Sequence, residues 1–164
     1  MAALRAARAL DLPDWYIAAG FVRNAVWDHL HGYTSSTPLN DIDLIYFDAD
    51  KQSIAAEQQS QRHLCRAAPH YHWQVRNQAR MHGSHRHAPY SSCADAMSYW
   101  VEKETAIGMR LNPDDSLTVH ACYGLASLFN GVITFNPTST PAAFEQRVTQ
   151  KQWLTTWPRL RLIH

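Results

Sequence analysis

The apolar positions Val22, Ala25, Val26 and Leu30, with His29 beside them, recur at three- and four-residue steps. That spacing puts side chains on one face of an α-helix, so a helix is expected from Gly20 to Gly32, the glycine that stops it. The turn formers Tyr33-Thr34-Ser35-Ser36-Thr37-Pro38 deliver the chain to Asp41-Ile42-Asp43-Leu44-Ile45-Tyr46-Phe47-Asp48, the clearest strand in the sequence. Residues 2 to 10 read as a helix ended by Leu12-Pro13-Asp14, and Ser53 to Ala68 as a polar surface helix with Ser53 at its N-cap. Trp73-Gln74-Val75 marks another strand, a His-rich polar loop runs from His82 to His87, and Ser92 to Trp100 forms a short helix. Alternation at Thr105, Ile107, Met109 and Leu111, and again at Leu117, Val119 and Ala121, predicts a β-hairpin turning at Asn112 to Ser116. One helical turn within Tyr123 to Phe129 and a helix from Phe144 to Trp153 follow.

With 164 residues, 46% of them hydrophobic, the chain can bury one core, and no repeat or linker divides it. A single domain over residues 1–164 is the expectation. A net charge of +1 without long runs of one sign does not imply bulk electrostatic capture of nucleic acid. Nucleic acid is left open as a partner, through a local patch, but is not indicated. Cys65, Cys93 and Cys122 are odd in number and far apart, which suits reduced thiols rather than a disulfide framework. The Ala-rich start lacks the apolar run of a signal peptide, and no window approaches the roughly 20 apolar residues of a membrane span. A cytoplasmic protein without a membrane partner is expected.

Residues two apart on a strand share a face, so Asp41 and Asp43 hold two carboxylates side by side. Crowded, partly buried carboxylates raise each other's pKa, and a divalent cation relieves the conflict. Mg²⁺ takes hard oxygen ligands from one or two carboxylates and completes its shell with phosphates and water. An isolated Asp-x-Asp is more often an ordinary loop or strand edge. Here the pair begins an apolar strand and follows a Gly-led helix, whose free N–H groups and dipole suit phosphate.

Taken together, Ala19-Gly20 before a helix and Asp41-Ile42-Asp43 on the next strand resemble the pattern of the nucleotidyltransferase superfamily, which includes DNA polymerase beta. The longer stretches Leu12 to Asn24, Val26-Trp27-Asp28, Asp41 to Asp48, Asn77 to His82, Glu104-Thr105-Ala106 and Tyr123-Gly124-Leu125 are similar to a bacterial family of uncharacterised nucleotidyltransferase-like proteins. The resemblance implies an α+β nucleotidyltransferase fold: a small mixed β-sheet flanked by helices, with a C-terminal β-hairpin extension. It implies a metal-dependent enzyme that moves a nucleoside monophosphate from a nucleoside triphosphate to an acceptor the sequence does not identify. The alternative is a catalytically inactive nucleotide-binding module on the same fold. Asp41 and Asp43 would be catalytic and hold Mg²⁺ or Mn²⁺.

Gly20, Arg23 and Asn24 would position phosphate, Arg by its bidentate donors. Two departures stand out. Gly20-Phe21 occupies the place of a Gly-Gly or Gly-Ser pair, and no Asp or Glu lies between Glu57 and Asp95 to supply the superfamily's third carboxylate. Gln74 offers an amide there instead, suited to a water or ribose hydroxyl. Glu104, preceding a hairpin strand, is the substitute acid, its alternative being a capping or surface carboxylate. Asn77 and Arg80, with Arg76 and His82, could line a nucleotide or acceptor groove. His82, His85 and His87 suggest a transition metal as a third class of function, although no cysteine or acid lies beside them to close a structural zinc site.

Overall fold

The computed structural model describes residues 1–85 and 87–164. Helix α1 (Ala2–Arg8) turns Ala3, Leu4 and Ala7 inward. Strand β1 (Tyr16–Ala18) follows and leads through Ala19 into helix α2 (Gly20–His31). Gly32 ends that helix in the left-handed conformation, φ 68°, and the N–H groups of Gly32 and Tyr33 donate to the carbonyls of His29 and Asp28, both at 3.0 Å. Glycine adopts this backbone without a Cβ penalty, which is why the helix stops where the sequence indicates. Strand β2 (Ile42–Tyr46), helix α3 (Ile54–Ala67) and strand β3 (Trp73–Asn77) form a strand–helix–strand crossover unit with parallel pairing of β2 and β3.

After a 3-10 turn (Gln78–Arg80), the segment read as a His-rich loop begins instead with a short helix, α4 (His82–His85). Polarity concealed it, since His-Gly-Ser-His carries no hydrophobic period. Helix α5 (Cys93–Ser98) is capped by the Ser92 hydroxyl, which accepts from the Asp95 N–H at 3.0 Å. Strands β4 (Ile107–Leu111) and β5 (Leu117–Ala121) pair antiparallel with Leu111 opposite Leu117, and the Asn112 N–H donates to the Ser116 carbonyl at 2.8 Å. After α6 (Ala126–Phe129) and β6 (Val132–Thr134) comes α7 (Pro141–Lys151), which starts three residues before the expected Phe144. Thr140 caps it and Pro141 fits its first turn, where a missing N–H costs nothing. Helix α8 (Trp153–Thr156) and strand β7 (Arg161–Ile163) follow, and β7 pairs parallel with β6.

The five-stranded mixed sheet runs β3-β2-β1-β4-β5, so the hairpin extends the sheet through β4 against β1. Strand alternation sorts its two faces. Ile42, Leu44, Tyr46, Ile17, Trp73 and Val75 point to one side, packed with Leu4, Ala7 and Leu64. Burying each large aliphatic contributes about 1.5–3 kcal/mol, so this face anchors the sheet. The opposite face carries Ala18, Asp43, Ile45, Gln74 and Arg76. A second core, Trp27, Phe144, Trp153, Trp157 and Leu160 among them, packs α7 and α8 onto α2. The three cysteines are free, and among the described residues no helix is long and apolar enough to cross a membrane.

Candidate active site

Asp43 sits in β2 opposite Ala18 of β1 and Gln74 of β3, and Asp41 stands immediately before the strand. Both carboxylates line one cavity of about 210 Å³, together with Gly20, Arg23, Asn24, Arg147 and Lys151. The two-residue spacing therefore does bring the pair to a common hollow. Gln74 Nε2 donates to Asp41 Oδ2 at 2.6 Å and fixes that carboxylate's orientation. The pKa of Asp43 is raised by burial and by the neighbouring Asp41, against the pull of Lys151, Arg23 and Arg147. A larger cavity, about 550 Å³, opens from the same place and shares Ala19, Asp43, Thr105 and Arg147 with the smaller one.

The turn from β1 into α2 shapes the phosphate-sized end. Ala19 takes φ 54°, ψ −120°, a backbone that suits glycine rather than alanine. Its N–H donates to the Ile107 carbonyl at 2.8 Å and its carbonyl accepts from the Arg23 N–H at 3.0 Å, so β4 and α2 together hold the strained residue. Gly20 itself does not have a positive φ. A Cβ there would make ordinary contacts, 3.6 Å to the Arg23 guanidinium and to Leu39, so its absence keeps space over the helix start. No side chain caps α2. Ala19, Gly20, Arg23 and Asn24 at this helix start all line the small cavity, and the positive end of a helix dipole suits an anion there.

Arg23 lies 6% exposed, with its guanidinium 4.8 Å from the Trp27 ring and 4.6 Å from that of Trp153. It donates to the Thr105 hydroxyl at 2.6 Å and to Asn24 Oδ1 at 3.0 and 3.2 Å. Burial lowers its pKa to about 10, with Glu102 opposing the shift. A cation this deep, beside phosphate-sized space, favours an anion brought to it. Asp28 fastens the loop that follows α2: it accepts from the Thr37 N–H at 2.8 Å, the Thr37 hydroxyl at 2.5 Å and the Trp157 indole N–H at 2.8 Å. This clamp ties the segment leading to Asp41 to α2 and to the C-terminal core.

Sequence reasoning missed two cations, Arg147 and Lys151. They stand four residues apart on α7, and so on one face of it, more than 100 positions from the carboxylates. Nothing local in the sequence marks them. Glu102, 1% exposed, accepts from Arg147 Nε at 2.7 Å and from the Thr105 hydroxyl at 2.9 Å, and this orients Arg147 toward both cavities.

Three residues expected at the site are engaged elsewhere. Glu104 is 3% exposed, with one oxygen accepting from the Thr134 N–H and the other from the Thr134 hydroxyl, both at 2.7 Å. The structure does not bring it beside Asp41 and Asp43, because its strand-entry position points it at β6. Asn77 is fully buried and binds the 48–51 loop, its Nδ2 donating to the carbonyls of Asp48 (2.7 Å) and Lys51 (3.1 Å). Arg80 forms a paired contact with Glu57, 2.5 Å at each of two nitrogens. Gln74 does join the carboxylates. Among the described residues no group of three or more His, Cys, Asp or Glu is placed to hold a metal, so the histidine segment has no closed ligand set.

A hard divalent cation fits the donors at Asp41 and Asp43. Two carboxylates, one with its pKa raised partly by the other and one oriented by the Gln74 amide N–H, are oxygen ligands of the type Mg²⁺ or Mn²⁺ accepts. The remaining positions would fall to phosphate and water.

The nucleotidyltransferase family profile matches residues 5–162. An NMR structure described as revealing a CCA-adding enzyme head domain is 33% identical, with a TM-score of 0.86, and the match covers 99% of this chain and 87% of that one. A CCA-adding enzyme complexed with CTP (15% identity, TM-score 0.63) and the Thermotoga maritima CCA-adding enzyme complexed with tRNA (16%, 0.60) share the fold. Each match covers 99% of this chain and 38% of that enzyme, so the chain spans well under half of their length. No curated protein sequence matches significantly. On the family profile and the 33%-identical structure, the chain belongs to the nucleotidyltransferase family.

Proposed function

We propose that residues 1–164 act as one nucleotidyltransferase domain, moving a nucleoside monophosphate from a nucleoside triphosphate to an acceptor, with Mg²⁺ or Mn²⁺ held by Asp41 and Asp43. The observation that carries this reading is the small cavity, where the two carboxylates meet Arg23, Arg147, Lys151 and the open start of α2. The bound cation would neutralise charge on the reacting phosphates. The amides of the α2 start and the three basic side chains would hold the triphosphate tail and receive the charge of departing pyrophosphate. Asn24 steadies the Arg23 guanidinium, Gln74 keeps Asp41 turned toward the cavity, and Glu102 does the same for Arg147. Asp43 lies where the two cavities join, so transfer would occur between them.

Gln74, an amide in the place of a third carboxylate, favours a second reading: a module that binds nucleotide without transferring it. Pyrophosphate release separates the two. With each nucleoside triphosphate, Mg²⁺ and candidate acceptors, transfer predicts release by the wild type that Asp43→Asn lowers by at least about 100-fold, as when a group acting only in the transition state is removed. Nucleotide binding by the wild type without pyrophosphate under any condition would support the module and refute transfer.

A further inference from the structure

The larger cavity has a wall of rings that the phosphate reading does not use. Tyr90 is buried, with its hydroxyl 2.6 Å from His87 Nδ1 in a hydrogen bond. The His87 ring lies 4.5 Å from that of Tyr99, tilted by 33°, and Tyr99 lies 5.4 Å from Tyr90, tilted by 35°. All three line the cavity, and Thr138, Ser139 and Thr140 add three hydroxyls at the entry to α7. The hydrogen bond and mutual packing hold the rings in place, so they form a preset surface and not a set of loose side chains. At about 550 Å³ the space falls in the range of small-molecule sites, roughly 300–1,000 Å³. It adjoins Asp43, so a molecule seated there is within the site's reach.

We propose that this cavity binds a planar heterocycle of the nucleobase type, stacked on Tyr99 and its neighbours, with sugar hydroxyls met by the Thr138–Thr140 segment. Stacking needs only an aromatic face and is therefore tolerant of which base is bound. The inference rests on the small cavity being the phosphate and metal site. The base belongs either to the donor triphosphate, whose tail then lies in the small cavity, or to an acceptor that approaches from the other side of Asp43.

Calorimetric titration in Mg²⁺ distinguishes these sources with three probes: inorganic tripolyphosphate, an α,β-methylene analogue of ATP, and AMP added to protein saturated with tripolyphosphate. Wild type, Tyr99→Leu and Tyr99→Phe are compared. Tyr99→Leu should weaken one base-bearing probe by at least about fivefold, the lower end of a lost base–aromatic stack. Tyr99→Phe, which keeps the ring, should retain wild-type affinity, and tripolyphosphate should bind all three proteins equally, which also certifies that the leucine variant is folded. A loss on the ATP analogue assigns the donor's base, and a loss on AMP assigns the acceptor's. If tripolyphosphate binds but neither base-bearing probe responds to Tyr99→Leu, the ring site is refuted while the phosphate reading stands. If tripolyphosphate does not bind the wild type, yet AMP alone binds in a Tyr99-dependent way, the phosphate reading fails and the ring site survives.

Discussion

Replacing Asp43 by Asn removes one of two neighbouring negative charges while keeping the side chain's size. Burial and Asp41 raise the Asp43 pKa in the folded protein, more than Lys151, Arg23 and Arg147 lower it. A carboxyl whose folded pKa exceeds its unfolded value, about 3.9 for Asp, stabilises the fold below that unfolded value. The contribution is lost as pH rises through the folded pKa, so at neutral pH the ionised group opposes folding. Asp43→Asn should therefore be no less stable than the wild type at pH 7 without ligand, and it should lack the fall in stability that the wild type shows over that acidic window. With Mg²⁺ and a nucleoside triphosphate at 100 times its dissociation constant, wild-type stability should rise by about 2.7 kcal/mol. For a chain of 164 residues that is a melting shift of roughly 5–11 °C. Outer-shell ligand partners alone change metal affinity by about 10–100-fold, so loss of a direct ligand should reach at least the upper figure. The same nucleotide then gives the variant only about 0.4 kcal/mol, a shift of roughly 1–2 °C. Thermal melts of both proteins, with and without Mg²⁺ and nucleotide across pH 4 to 8, read every part of this. Equal ligand shifts would place nucleotide elsewhere, and an apo variant destabilised by more than about 1 kcal/mol would mean that Asp43 supports the fold through its charge.

Substitutions at two further positions probe the scaffold of the site. Glu102→Gln breaks a buried ion pair, but the Arg147 side chain is 36% exposed, so urea melts should show a loss of about 2 kcal/mol and not the ~3–5 of a fully buried pair; a loss under about 0.5 kcal/mol would deny Arg147 its anchor. Ala19→Gly relieves the positive φ and should leave stability unchanged or raise it by up to about 1 kcal/mol, whereas Ala19→Val should lower it by more than about 2. A glycine variant that melts distinctly lower would contradict the strained turn.

Local physics made much of this protein legible from its sequence. The Gly20 to Gly32 helix is bounded by a capping geometry that glycine alone adopts cheaply, and the hairpin around Asn112 to Ser116 follows from alternation joined by turn formers. The Asp41 and Asp43 pairing follows from the two-residue period of a strand. What the sequence concealed depends on distant partners. Strand β1 is only three residues long and buried on both faces, so it shows no alternation, although it lies at the centre of the sheet. Strands β6 and β7 meet in parallel across an intervening pair of helices. The choice between Glu102 and Glu104 is equally invisible, for both are buried acids two positions apart. Tertiary packing sends Glu102 to Arg147 at the site and Glu104 to Thr134 away from it. Arg147 and Lys151 become active-site candidates only because Phe144, Trp153 and Trp157 bury α7 and α8 against α2. A charge's partner is set by where the hydrophobic core folds it, and that placement is a property of the whole chain, beyond what any local stretch encodes.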